Sequence, residues 1–147
     1  MSKIQNLLAG LGGAIALNIL HESLKRKGQD MPRVDLLGEE ALQKTLNQFG
    51  TGISDQKTLF NATLAGDIVS NTIYYSMIGG GSGKHVWQRA VSLGVAAGIG
   101  AITLPKPMGL NPEPVTKTTK AKTLTVAYYL AGALVTGCIL KAIKGSK

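Results

Sequence analysis

Three groups of residues in this chain have the types and spacing to do chemistry. Asp67, Asn71 and Tyr74 stand at i, i+4 and i+7 with Ser70 beside them, so a helix here would carry an acid and neutral hydrogen-bonding groups in one file. Within an apolar segment such an acid is a charge carrier for a proton or a cation. Asn18 from one neighbouring apolar stretch, and Tyr128 and Tyr129 from another, are placed to complete its shell. The same residues have a plainer use, in which Asp67 is protonated or hydrogen-bonded and only locks helices together. The second group, His21-Glu22, begins like a zinc-binding HExxH motif. Position 25 is Lys25, however, and the other histidine, His85, is remote. No metal site and no cofactor are expected, and His21 reads as an interfacial residue paired with Glu22 or with headgroups. The third, Gly79-Gly80-Gly81-Ser82-Gly83-Lys84, resembles a phosphate loop. That motif would need glycine at position 78, which is Ile78, and Ser or Thr after Lys84, where His85 stands. It is read as a flexible turn. No nucleophile with a base and no carboxylate pair accompanies these groups, so no enzyme is expected.

The elements that must position these residues are apolar stretches at about 4–20, 59–78, 90–104 and 123–140. A bilayer core of about 30 Å needs about 17–25 helical residues. The first and last stretches are just sufficient. The third offers sixteen residues between Arg89 and Lys106 and spans only if Arg89 and Trp87 snorkel. The second holds Asp67 near its middle, at a cost of at least about 2.5 kcal/mol in lipid. Two polar segments, about 21–57 and 105–122, dilute the mean hydropathy to +0.14.

The chain has nineteen glycines, and the many inside the apolar stretches make a water-exposed reading of these helices expensive, at about 1 kcal/mol each relative to alanine. In lipid, small residues at four-residue spacing let backbones approach. Gly13, Gly66, Gly94, Gly98, Gly132 and Gly137 are the expected packing positions. The reading is an all-α fold: one membrane domain, 1–147, of four short Gly/Ala-rich helices plus an amphipathic surface helix at about 36–49. A soluble, glycine-rich helical domain is the alternative. The tripeptide Leu-Ala-Gly recurs at positions 8, 64 and 130, a faint echo of duplicated hairpins.

Asp35 is expected to cap the surface helix, whose Leu42, Leu46 and Phe49 share one face. Ser54-Asp55 marks the start of the second stretch. The 105–122 segment, with Pro105, Pro107, Pro112 and Pro114 ahead of Thr116, Thr118 and Thr119, is expected to be extended. The single cysteine, Cys138, lies in the last apolar stretch, where it behaves as a small hydrophobe, and no disulfide framework is possible. Asn18-Ile19-Leu20-His21-Glu22 offers no small-residue cleavage site, so the first helix is expected to stay as an uncleaved anchor.

The net charge is +8. Four spans place Lys3, Lys84, Arg89, Lys141, Lys144 and Lys147 on one side. Lys25, Arg26, Lys27, Arg33, Lys44, Lys57, Lys106, Lys117, Lys120 and Lys122 fall on the other. The positive-inside rule then puts the loops in the cytoplasm and the termini outside, in a multi-pass cell (inner) membrane protein. Aromatics are only 5% and no motif interleaves them with basic residues, so nucleic acid is not the expected partner. The expected partners are a bilayer with anionic headgroups and a second copy or another membrane protein.

The order AGLGGAIALNILHE, PRVDLLGEEAL, LPKPMGL, a threonine-rich stretch and LTVAYYLAGAL resembles small multi-pass membrane proteins of bacteria that carry no assigned activity. That resemblance covers most of the chain and implies a membrane location without lending any functional residue. Two functional classes remain. One is a non-enzymatic structural or accessory subunit of a membrane assembly, which is the leading expectation. The other is an oligomeric transporter or channel for protons, cations or a small solute, working through Asp67.

Overall fold

The structure, a computed structural model, describes residues 2–145. It is all-helical, with no strand among the described residues. The helices are α1 (Lys3–Leu24), α2 (Val34–Gln48), α3 (Gln56–Ser76), α4 (Val86–Thr103), α5 (Glu113–Thr116) and α6 (Thr119–Gly145). Local chemistry sets their starts. Ser2 opens α1 with a reciprocal capping box: Gln5 N donates to Ser2 Oγ at 3.2 Å, and Ser2 N donates to Gln5 Oε1 at 3.1 Å. Asp55 caps α3 by accepting from Thr58 N at 2.8 Å.

Two local expectations are corrected. The 105–122 segment is not extended throughout, because Pro114 fits the first turn of α5, which takes in Thr116, and Thr119 begins α6, leaving Thr118 in the bend between them. Thr116 and Thr123 each donate to the carbonyl four residues back, at 2.9 Å in both cases. Asp35 does not cap α2 either. Arg33 is the N-cap residue and makes no side-chain cap bond, while Asp35 sits in the first turn facing the bundle. The docked side of α2 is Asp35, Leu37 and Glu39, and Phe49 of the expected apolar face is 81% exposed.

α1 lies between α3 and α6, and α4 packs on the far side of α6, in an up-down-up-down order. Small residues set these spacings. A Cβ placed on Gly98 would lie 2.5 Å from Val126 Cα, and one on Gly94 would lie 2.9 Å from Leu130 Cα, so α4 and α6 touch through backbone. Gly13 and Gly132 oppose each other across α1 and α6; a Cβ on Gly132 would lie 2.9 Å from Gly13 O. Gly137 abuts the Trp87 ring, with 3.1 Å left for a Cβ. Gly66 differs: nothing lies within 4 Å, so it packs against no other helix. Its spacing is helical, but its face of α3 points outward. Gly10 holds the close approach of α1 to α3, beside the backbone of Thr72 and Ser76.

Tyr75, Ile78, Tyr128 and Leu140 are fully or almost fully buried at the centre. The outer faces are apolar as well. Ile4, Leu8, Leu11, Ile15 and Ile19 form an exposed stripe along α1, and Val69 and Ile73, with Met77 just past the end of the helix, form one along α3. α1 and α6 are long and apolar enough to cross a membrane. α3, with Asp67 and Asn71, and α4, with Gln88 and Arg89, do not meet that measure.

α2 and α5 close one end of the bundle. Arg33 N donates to Pro114 O at 2.9 Å, Asn111 N donates to Glu40 Oε2 at 3.0 Å, and Lys44 donates to Gly109 O. Gln43 accepts from Ile53 N at 2.9 Å, fixing the turn into α3. The glycine run at the opposite end is a pinned turn. Gly81 takes φ +91°, a left-handed conformation suited to glycine, and Arg89 donates to Ile78 O at 2.8 Å and to Ser82 O at 2.9 Å.

Candidate functional site

The geometry of α3 puts Asp67, Ser70, Asn71 and Tyr74 along one side, and two spaces meet at Asp67. The first is a small, partly open cavity of about 20 Å³, where Asp67 and Asn71 are joined by Asn18, His21, Asp35 and Tyr129. A cavity of that size holds about one water. The second is a groove of about 520 Å³, open between α3 and α4. Asp67, Ser70, Asn71, Tyr74 and Tyr129 line one side of it, and Ala96, Ala97, Gly100, Ala101 and Leu104 the other. Leu37, Gly38 and Ala41 of α2 close its loop end. Among the described residues, the Asp67 carboxylate has no hydrogen bond and no ion pair.

The four polar residues expected to act together are therefore divided. Asp67 and Asn71 border both spaces, Asn18 borders only the cavity, and Tyr74 borders only the groove. Asn18 Nδ2 donates to Ala14 O at 2.9 Å on its own helix. Tyr74 uses its hydroxyl to tie α3 to α4, donating to Leu93 O at 2.8 Å. Tyr75 ties α3 to α6 by donating to Tyr129 O at 2.7 Å. Tyr129 reaches the site, whereas Tyr128 points away from it and meets His21 edge-on, with ring centres 6.1 Å apart.

Towards the loop end the cavity meets a buried ionic cluster that sequence reasoning missed. Asp35 accepts from Arg33 Nε at 2.8 Å, from Arg33 Nη2 at 2.7 Å and from Lys25 Nζ at 3.2 Å. Lys25 also meets Glu22 at 2.8 Å, and its ammonium lies 4.5 Å from the Phe60 ring centre. Burial pushes the Asp35 carboxyl up, but the hydrogen bonds from Arg33 and Lys25 outweigh it and hold it down to about 2. The same bond raises the Arg33 guanidinium. His21 meets Glu22 as expected, Nδ1 lying 3.5 Å from its carboxylate, but it is buried in the bundle and not open to headgroups, with Nε2 at 3.6 Å from Asp35. The available signal was Pro32 followed by an Arg-Val-Asp helix start, ten residues beyond Lys25.

Chemically, the groove offers one carboxylate beside neutral amide and hydroxyl groups. The described residues hold no group of three or more His, Cys, Asp or Glu that could bind a metal ion. Cys138 is exposed on α6. No protein-family model, curated protein or solved structure matches the chain.

Proposed function

We propose that this chain is a non-enzymatic four-span membrane protein, with α1, α3, α4 and α6 crossing the bilayer, in which Asp67 handles a proton or small cation. One observation carries the reading: Asp67, a formal charge between the two polar ends of the bundle, has no hydrogen bond or ion pair among the described residues and borders both a small cavity and an open groove. Supporting the spans, the intervals from Lys3 to His21, from Arg89 to Lys106 and from Lys122 to Lys141 measure about 25–29 Å at 1.5 Å per residue, close to a bilayer core. The outward stripes on α1 and α3 lie within that interval, and an apolar surface of this extent is unusual in water. α4 and α3 fall short of the measure that α1 and α6 meet, but Ser70 and Asn71 of α3 face the groove, Tyr74 bonds to α4, and Arg89 of α4 bonds to the turn before it. The larger count of basic residues at the α2 and α5 end favours placing that end in the cytoplasm and the termini outside.

The test is proton flux into vesicles reconstituted with the protein, under an imposed potential. Wild type conducts and Asp67→Asn does not; equal flux in the two removes the Asp67 reading. Release from membranes by alkaline carbonate removes the spans.

The accessory-subunit reading has one observation of its own. Ala62, Gly66 and Ser70 form an exposed small-residue row on α3 that no helix of this chain covers, the surface a partner helix in lipid would use. Loss of co-purifying membrane proteins in Gly66→Leu would favour it.

A further inference from the structure

We propose that the groove between α3 and α4 binds an amphiphilic ammonium ion, its head on Asp67 and its alkyl tail along α4. The inference rests on the membrane reading above and adds the class of ligand. The α4 wall is made of Ala96, Ala97, Gly100 and Ala101, none with more than a methyl group, and this is what leaves about 520 Å³ open. That lies within the roughly 300–1,000 Å³ of small-ligand sites. Leu104 and Met108, both more than half exposed, continue the apolar surface toward the loop end. Ser70 and Ala96, both exposed, stand on opposite lips and leave the groove open sideways.

Charge selects the head. No Lys, Arg or His lines the groove, so a cation from outside is the only positive partner Asp67 can gain there. An ammonium brings several donors, which the carboxylate, Asn71 and the hydroxyl of Ser70 can accept. A divalent metal ion would want six or more oxygen ligands at once, and one carboxylate does not supply them. A carboxylate-headed lipid would be repelled. The tail contributes little selectivity, because a bilayer is as apolar as the alanine wall. Preference among ligands of one chain length therefore falls on the head.

The probes are dodecylamine, dodecanol and dodecanoate, titrated into the purified protein in zwitterionic lipid nanodiscs, with bound ligand counted by native mass spectrometry. We expect one amine per chain, bound at least about tenfold more tightly than the alcohol, with the carboxylate weakest. Asp67→Asn should bring the amine down to the level of the alcohol. Gly100→Leu should block all three while leaving the fold intact, since a Cβ there meets only Leu104 Cδ1, at 3.5 Å. Equal binding of amine and alcohol, unchanged amine binding in Asp67→Asn, or unchanged binding in Gly100→Leu would each overturn the proposal. Asp67-dependent proton flux without amine binding would overturn it too and leave Asp67 as a proton carrier, whereas carbonate extraction of the protein would remove the membrane reading itself.

Discussion

Gly38 of α2 lies against Asp67 of α3: a Cβ at position 38 would come 3.6 Å from Asp67 Oδ1, 3.7 Å from Oδ2 and 2.8 Å from Thr63 Cγ2. A glycine inside a helix costs about 1 kcal/mol relative to alanine. Its place in α2 is explained by this approach, which lets the helix backbone close the loop end of the groove beside Asp67.

Gly38→Leu should therefore lift α2 from α3. Overpacking of this kind costs about 1–3 kcal/mol. The expected result is a melting temperature lower by several degrees in detergent, together with altered Asp67-dependent proton flux. Wild-type flux in a stable Gly38→Leu protein would show that α2 does not control access to Asp67.

The glycines separate by what surrounds them. Gly98→Leu drives a side chain into the α6 backbone at Val126 and should cost about 3 kcal/mol or prevent assembly. Gly66→Ala meets nothing within 4 Å and should be neutral or stabilising by up to about 1 kcal/mol. Thermal unfolding of the two variants side by side checks this, and similar losses in both would contradict the packing described.

Acid should erase the contribution of Asp35. Its folded pKa, about 2, lies below the ordinary carboxylate value, so its ion pairs stabilise the protein above about pH 4 and lose that effect as pH falls towards 2. Asp35→Asn is expected to be less stable than wild type by about 2–3 kcal/mol near neutrality, with the gap closing by about pH 2. A gap that does not change with pH would mean that the pairing with Arg33 and Lys25 contributes nothing.

Accessibility to a water-soluble maleimide distinguishes lipid from water around the outer faces. In a Cys138→Ser background, Val69→Cys should resist labelling in intact membranes although Val69 is 59% exposed on the bundle surface. Arg26→Cys, at the loop end, should label readily, and only from the cytoplasmic side. Rapid labelling at position 69 would return α3 to an aqueous surface.

Much of the helical architecture was legible because apolar runs and caps are local. Ser54-Asp55 announced α3, and the file from Asp67 to Tyr74 follows from helical periodicity within one segment. What periodicity does not carry is which face a neighbour uses. Gly66 and Gly98 have the same four-residue spacing to small partners, yet one is open and the other is pressed against backbone. Tyr128 and Tyr129 are adjacent in the chain but differ by about a hundred degrees around the helix, so only one reaches Asp67. The Asp35 cluster was hidden for another reason. Its partners are separated by a turn, and Lys25, Arg33 and Glu22 around the buried Asp35 look, residue by residue, like an ordinary solvated loop.

The seam between α1 and α6 also bears on how the molecule is made. Gly13 meets Gly132 and Thr136 from the opposite end of the chain, so the central contact of the bundle forms only after nearly every residue has left the ribosome. If the chain is the membrane protein proposed above, the nascent α1 waits in the bilayer with its glycine face unpaired, and α3 holds Asp67 there without its final neighbours. A chain that ended before α6 would lack the helix on which both α1 and α4 pack.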